Sequence, residues 1–339
     1  MKRYPLCKSF QPLIDESSYS RFSGRNNVFA RVEWDTQAAF YNKRIHSEAE
    51  EIISRDIEGY SRIEYERSRA AWTVHDLLGN HFGEEWTGRH SHRRVRRPSR
   101  ETAGNPEQMA KRVKEAGRYY GATLTGITEL DDRWLYTHQR DGSEIEFDPE
   151  LRYVIVMATA MDPALIRRSP VFDAATTVGI GYSRMAFLVS TMAEMISSLG
   201  YRAVPMANDT ALSIPLAIQT GLGRLGRNGM LLTPSHGACV RLCKVLTDLP
   251  LLPDNPSEPA LNEACLSCFI CAAACPVKAI SDRKQPFYET TSVSNNRGIL
   301  RWPVDPELCY GFWVKNGTDC SSCIAHCPMT PPPDNPITA

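Results

Sequence analysis

The chain has 339 residues, of which 42% are hydrophobic and 23% charged, enough for one large core and a smaller satellite domain. Lys plus Arg equals Asp plus Glu at 39 each, which gives no overall electrostatic case for nucleic acid or an anionic membrane surface. No stretch approaches the roughly 20 continuous apolar residues that span a bilayer, and residues 1–20 carry no hydrophobic signal core.

Residues 1–105 mix aromatics and charge without clear periodicity and read as an irregular N-terminal unit. Their basic run, Arg89 through Arg93, Arg94, Arg96 and Arg97 to Arg100, lies among Gly88, Pro98 and Ser99 and reads as a solvated loop. A helix is predicted from Pro106 to Ala116, because Met109, Val113 and Ala116 recur at helical spacing before Gly117. From Tyr153 to Met161 the β-branched and apolar run, bounded by Asp162 and Pro163, predicts a buried strand. Met185, Leu188, Val189, Met192, Met195 and Ile196 then predict a helix ending at Gly200. Short strands follow at Arg202 to Met206 and Val240 to Leu246, so residues 106–255 form an α/β (α+β) core.

Gly221, Gly223, Gly226 and Gly229 punctuate the segment between those strands. The spacing formally matches a dinucleotide fingerprint, but it follows the helix-like stretch 212–220 rather than a strand, which argues against that use. A plain turn, or backbone cleared for a bulky ligand, explains the glycines. The prolines at 250, 253, 256 and 259 mark a boundary, and residues 331–339 form a Pro-rich tail.

Eight of the eleven cysteines fall between Cys265 and Cys327. Cys265-x2-Cys268-x2-Cys271-x3-Cys275-Pro276 is the bacterial ferredoxin run, in which three thiolates hold one cubane and the fourth reaches a second. The second motif is Cys309-x10-Cys320-x2-Cys323-x3-Cys327-Pro328. Crossing the last ligands gives one [4Fe-4S] cluster on Cys265, Cys268, Cys271 and Cys327, and another on Cys275, Cys309, Cys320 and Cys323. Zinc would use closed sets of two pairs and has no need of the repeated Cys-x3-Cys-Pro ending. Residues 256–330 therefore read as a ferredoxin-like dicluster domain. Cys239 and Cys243 flank Arg241 and read as buried free thiols, and Cys7 takes no assignment. His75, His81 and His236 stand at no metal spacing and read as surface or core groups.

A ferredoxin needs only the last quarter of such a chain, so the core must house what exchanges the electrons. Several segments closely resemble the corrinoid-dependent reductive dehalogenase family: Gly181-Tyr182-Ser183-Arg184-Met185, Leu199-Gly200-Tyr201, Asn208-Asp209-Thr210, Leu212-Ser213-Ile214-Pro215, Gly223-Arg224-Leu225-Gly226-Arg227-Asn228 and Val240-Arg241-Leu242-Cys243-Lys244. Arg21-Phe22, Asn26-Asn27 and Glu33-Trp34-Asp35 extend the likeness, which runs from about Tyr19 to Cys327.

The resemblance implies a nitroreductase-like core holding a base-off cobalamin-type corrinoid, fed by the two clusters. The absence of an Asp-x-His-x-x-Gly motif agrees with a cobalt that takes no lower His ligand. It further implies Tyr182 as proton donor with Arg241 and Asn208 beside it; phenols are weak acids, and a neighbouring cation favours the phenolate. Asn208, Thr210, Ser213, Gly223, Gly226 and Arg227 are the implied corrinoid contacts, and Trp302, Tyr310 and Trp313 are candidates for the substrate pocket. The expected substrate is an organohalide, chlorinated, brominated or fluorinated, with an unidentified low-potential electron donor and, by family resemblance, a membrane-anchor protein.

Compared with exported family members, the chain shows no twin-arginine leader and stops twelve residues after Cys327, where relatives continue and help close the cofactor cavity. The expectation is a cytoplasmic protein as the chain stands, or a membrane-associated exoplasmic one if a leader was removed. Two alternatives are an epoxyqueuosine reductase-like tRNA-modifying enzyme, which needs a basic face that only the run at 89–100 offers, and a non-catalytic dicluster carrier.

Overall fold

The structure, a computed structural model, describes residues 13–79, 104–254, 256 and 259–333. Cys7, His81, the basic run 89–100 and residues 334–339 lie outside the described residues.

The described residues of the N-terminal unit form short helices rather than an irregular stretch. They contribute α1 (Val28–Trp34), α2 (Ala49–Ser54), α3 (Arg62–Ala70) and α4 (Thr73–Gly79). These helices are too short to display a period in sequence, and at such lengths packing rather than propensity holds a helix. Local signals do mark their starts: Asn27 caps α1 by accepting from Phe29 N, and Ser61 and Glu64 form a reciprocal capping box on α3.

The core follows with α5 (Pro106–Tyr119), β1 (Leu124–Glu129), β2 (Tyr153–Ala160), α6 (Pro163–Ile166), α7 (Phe172–Ser198), β3 (Ala203–Met206), α8 (Ser213–Gln219), β4 (Arg224–Leu225), β5 (Leu231–Leu232) and β6 (Val240–Thr247). A four-stranded sheet in the order β1-β2-β6-β3 is antiparallel throughout. Strand β2 reads as a continuous apolar run because both its faces are covered. Ile155 and Met157 pack with α5 and α7 through Val113, Met185, Val189 and Met192, while Val154 and Val156 pack with Leu216 and Ala217 of α8. The glycine-studded segment is a small β4–β5 hairpin.

Helix α7 begins thirteen residues earlier than its apolar period suggests. Its first half is buried by small residues, Ala174, Ala175, Thr176 and Thr177, that show no stripe. Tyr182 therefore sits in the middle of a helix.

The remaining elements are α9 (Ile270–Ala274), α10 (Pro306–Asn316) and α11 (Ser322–Ala325). Asp305 caps α10 through Glu307 N and Leu308 N, and Gly317 ends it at φ +67°, where an added Cβ would meet Ile52 at 2.8 Å. The N-terminal unit docks on this region: Arg31 pairs with Glu307 at 2.6 Å, and the Tyr310 hydroxyl donates to the Lys43 carbonyl at 2.9 Å. Among the described residues no helix is long and apolar enough to cross a membrane.

Candidate functional site

Tyr182, Arg241 and Asn208 come together in one place. Tyr182 projects from α7, Arg241 from β6 and Asn208 from the loop after β3. The Asn208 side-chain amide donates to the Tyr182 hydroxyl at 3.2 Å. The Arg241 guanidinium carbon lies 5.3 Å from the centre of the Tyr182 ring, within cation–π range. Gly181 makes that approach feasible, since a Cβ there would stand 2.9 Å from Arg241 Cγ. Asn208 is exposed and Tyr182 half-buried, so the cluster opens at the surface. Arg241 Nε is buried without a hydrogen-bond partner among the described residues, a polar atom of the kind that marks a place for a further group.

The N-terminal unit completes the wall, which the sequence did not reveal. Trp72 stacks on Tyr182 with ring centres 4.5 Å apart and planes 25° from parallel, and His75 meets the same ring edge-on at 5.3 Å. Gly179 admits the indole: a Cβ there would lie 2.7 Å from Trp72 Cδ1. His75 is thus part of this site rather than a plain surface or core group. On the other side, Asp319 of the second cysteine motif feels Arg241. Burial pushes its carboxyl up from the usual range, and Arg241 opposes that shift.

Lys244 is a second unanticipated feature. It stands three residues after Arg241 on β6, hence on the opposite face of the strand, and is wholly buried. Its ammonium donates to the carbonyls of Ala207 and Asp209 at 2.8 and 3.0 Å and to Ser213 Oγ at 3.0 Å. Both neighbours of Asn208 are therefore anchored. Burial brings the Lys244 amine down to about 8. Thr210, next along, has a φ of +64°, an uncommon conformation for a β-branched residue.

Four of the implied corrinoid contacts have partners within the protein. Ser213 Oγ faces Lys244. A Cβ at Gly223 would lie 2.4 Å from the Leu232 carbonyl, and one at Gly226 would lie 2.8 Å from Leu232 Cδ1, so hairpin packing accounts for both glycines. Arg227 is 1% exposed and commits its guanidinium to carbonyls of the cysteine-rich segment. Asn208 remains exposed at the open face, while Thr210 is buried behind it. The pocket candidates change as well. Trp302 is 1% exposed and its indole N–H donates to the Lys284 carbonyl, while Tyr310 packs edge-on against Phe29 and Phe40. Both are buried where separate units dock, a role that aromatic content alone does not distinguish from pocket lining. Trp313 lies in the same cluster, 5.8 Å from Phe29.

The cysteines gather in two crossed groups. Cys265, Cys268, Cys271 and Cys327 lie close enough to affect one another's ionisation, and so do Cys275, Cys309, Cys320 and Cys323. Burial, then mutual repulsion, pushes the Cys271 and Cys309 thiols up to about 12 and Cys323 further still. Such thiols ionise only if a metal supplies the compensating charge, and bound metal deprotonates its thiol ligands. None of the described cysteines forms a disulfide. Backbone N–H groups already point at the sulfurs: Arg227 N to Cys265 Sγ at 3.4 Å and Ala279 N to Cys275 Sγ at 3.2 Å. Four-thiol sets of this kind fit cubanes. Cys271 and Cys323 also influence each other, so the groups adjoin. Cys239 and Cys243 are buried, Cys239 in the same apolar cluster as Cys265, and burial raises each thiol to about 12.

Comparison with known proteins agrees with this architecture. A family model described as a 4Fe-4S dicluster domain matches residues 264–330. A tetrachloroethene reductive dehalogenase of Desulfitobacterium hafniense is 36% identical over 263 residues, covering 65% of this chain and 48% of that protein. An epoxyqueuosine reductase of Cyclobacterium marinum is 42% identical, but over 64 residues, 19% of this chain and 20% of its own length. The solved structure of a catabolic reductive dehalogenase superposes with a TM-score of 0.72 at 21% identity, covering 97% of this chain and 44% of that one, a likeness of fold. The chain spans about half the length of the curated dehalogenases it matches. In sequence the chain is a relative of the reductive dehalogenases, with a 4Fe-4S dicluster domain at its cysteine-rich end.

Proposed function

We propose that this chain carries out reductive dehalogenation, converting an organohalide, two electrons and a proton into the hydrocarbon and a halide ion. The observation that carries the reading is the Tyr182 hydroxyl held by the Asn208 amide under the Arg241 cation, at an open face of the core. A base-off corrinoid bound against that face, beside Asn208, would supply low-valent cobalt chemistry, and the clusters would supply electrons. Cys265, Cys268, Cys271 and Cys327 are the proposed ligands of one cluster, and Cys275, Cys309, Cys320 and Cys323 of the other.

Tyr182 gives its hydroxyl proton to the carbon as the carbon–halogen bond breaks. The Asn208 N–H, already directed at that oxygen, stabilises the phenolate left behind, and Arg241 offsets its charge. The same guanidinium attracts the departing halide. Trp72 holds the ring in register from the other side, so the proton leaves from a fixed position. The nitroreductase-like label for the core and the division at residues 105, 255 and 330 belong to this proposal. So do a low-potential donor, a membrane-anchor partner and the cellular location. The 36% identity spanning 65% of the chain supports the dehalogenase over the tRNA-modifying alternative, whose match spans 19%.

Tyr182→Phe tests the reading. In anaerobically reconstituted protein loaded with cobalamin and assayed with a reduced viologen, kcat should fall by about 10²- to 10⁴-fold, the usual worth of general acid catalysis. Iron and cobalt content should be unchanged. Near wild-type turnover by the fully loaded variant would remove Tyr182 from the role of proton donor.

A further inference from the structure

Arg227 is a buried cation without a buried anion. It is 1% exposed, and no carboxylate pairs with it among the described residues. Its N–H groups instead donate to main-chain carbonyls: Nε to Cys268 at 2.8 Å, Nη2 to Cys265 at 2.6 Å, and Nη1 to Ser281 and Arg283 at 3.0 and 2.6 Å. The rings of Phe269 and Trp302 cover it, with centres 4.2 and 4.9 Å from the guanidinium carbon. Carbonyl dipoles and aromatic faces lower the cost of burying a guanidinium, yet a desolvated charge normally has a countercharge. Negative character faces it first from the thiols of Cys271, Cys265 and Cys268, and more weakly from the exposed carboxylate of Asp282.

We infer that Arg227 is the internal counter-cation of the cluster on Cys265, Cys268, Cys271 and Cys327, and that it makes this cluster the higher-potential one of the pair. A cubane held by four thiolates is anionic, and reduction adds one more negative charge. A fixed cation in a dry environment stabilises the reduced form more than the oxidised one, so the potential rises. The second group has the opposite surroundings: Asp305 lies one helical turn before Cys309, whose N–H donates to the Asp305 carbonyl at 3.1 Å, and its carboxylate destabilises added negative charge there. Electrons entering at either cluster then settle on the first. The inference rests on the proposed ligand sets and is independent of the dehalogenation chemistry.

The test is a redox titration of the anaerobically reconstituted full chain followed by paramagnetic resonance, with Cys268→Ser identifying which signal belongs to the first cluster. In the wild type the first cluster should have the higher midpoint, and the reverse order overturns the inference outright. Arg227→Gln should make reduction of the first cluster at least tenfold less favourable, about 59 mV for one electron, with the second cluster unmoved. Arg227→Lys keeps the charge but loses the fork, and should retain the wild-type gap. Where Arg227→Gln does not load iron, the Lys variant decides: a fully loaded Lys protein whose gap has closed refutes the counter-cation role. Asp305→Asn preserves the helix cap and should raise the second midpoint. An unchanged gap in both Arg227→Gln and Asp305→Asn would show that Arg227 only ties carbonyls together. Fewer than about eight irons in the wild type would instead fault the ligand sets.

Discussion

Gly181→Ala separates the position of Arg241 from its presence. The added methyl would stand 2.9 Å from Arg241 Cγ and 3.5 Å from Met161 Cγ. Carbon atoms in contact settle at about 3.5–4.0 Å, so the arginine side chain must retreat by roughly 0.6–1 Å. Ala is favoured over Gly inside a helix by about 1 kcal/mol, which offsets much of the local crowding, and net stability should change by no more than about 1 kcal/mol. Misplacing a catalytic group by about 1 Å costs up to roughly 100-fold in rate. The expected outcome is a protein that melts within about 4 °C of wild type, binds the same iron and cobalt, and turns over about 10- to 100-fold more slowly. Thermal unfolding, metal analysis and steady-state dehalogenation with a reduced viologen measure the three quantities. Wild-type kcat in a folded, loaded variant would mean that the placement of Arg241 beside Tyr182 is immaterial to the reaction. A rate loss that merely tracks unfolding would refute the reasoning from the other side.

Cys275→Ser should abolish the signal of the cluster on Cys309, Cys320 and Cys323, although Cys275 lies in the first motif; loss of the Cys265 cluster instead would uncross the ligand sets. Lys244→Met leaves the Ala207 and Asp209 carbonyls without their charged donor, and should lower unfolding stability by about 3 kcal/mol and loosen Asn208, reducing kcat. The wild-type amine titrates at about 8 when folded against 10.5 as its ordinary value, so between those pH values the unfolded chain binds the extra proton. The Lys244 contribution to stability should therefore rise with pH across that window. Urea unfolding of wild type and variant at pH 7.5 and 10 reads the difference, and a stability gap that narrows with pH contradicts the assignment.

The sequence by itself determined whatever depends on local order along the chain. Cysteine spacing specified a dicluster domain, because ligand reach is set by a few residues of backbone. A β-branched and apolar run marked β2, a short stretch from Val240 marked β6, and periodic methionines and leucines marked the second half of α7. Resemblance of scattered segments supplied Tyr182, Asn208 and Arg241, which the fold brings within contact. Tertiary structure decided what each side chain faces. Trp72 and His75 reach Tyr182 only because α4 docks on α7 at Gly179, more than a hundred residues away in sequence, and short helices without a stripe announce no such partner. Gly223, Gly226, Ser213 and Arg227 also meet an adjacent strand, a buried lysine and a ring of carbonyls, neighbours that no local pattern announces. A one-dimensional pattern records that a residue is small, polar or charged. Which neighbour satisfies it is settled by the packing of elements distant along the chain, since every buried polar group must find a partner and every close approach must clear a side chain.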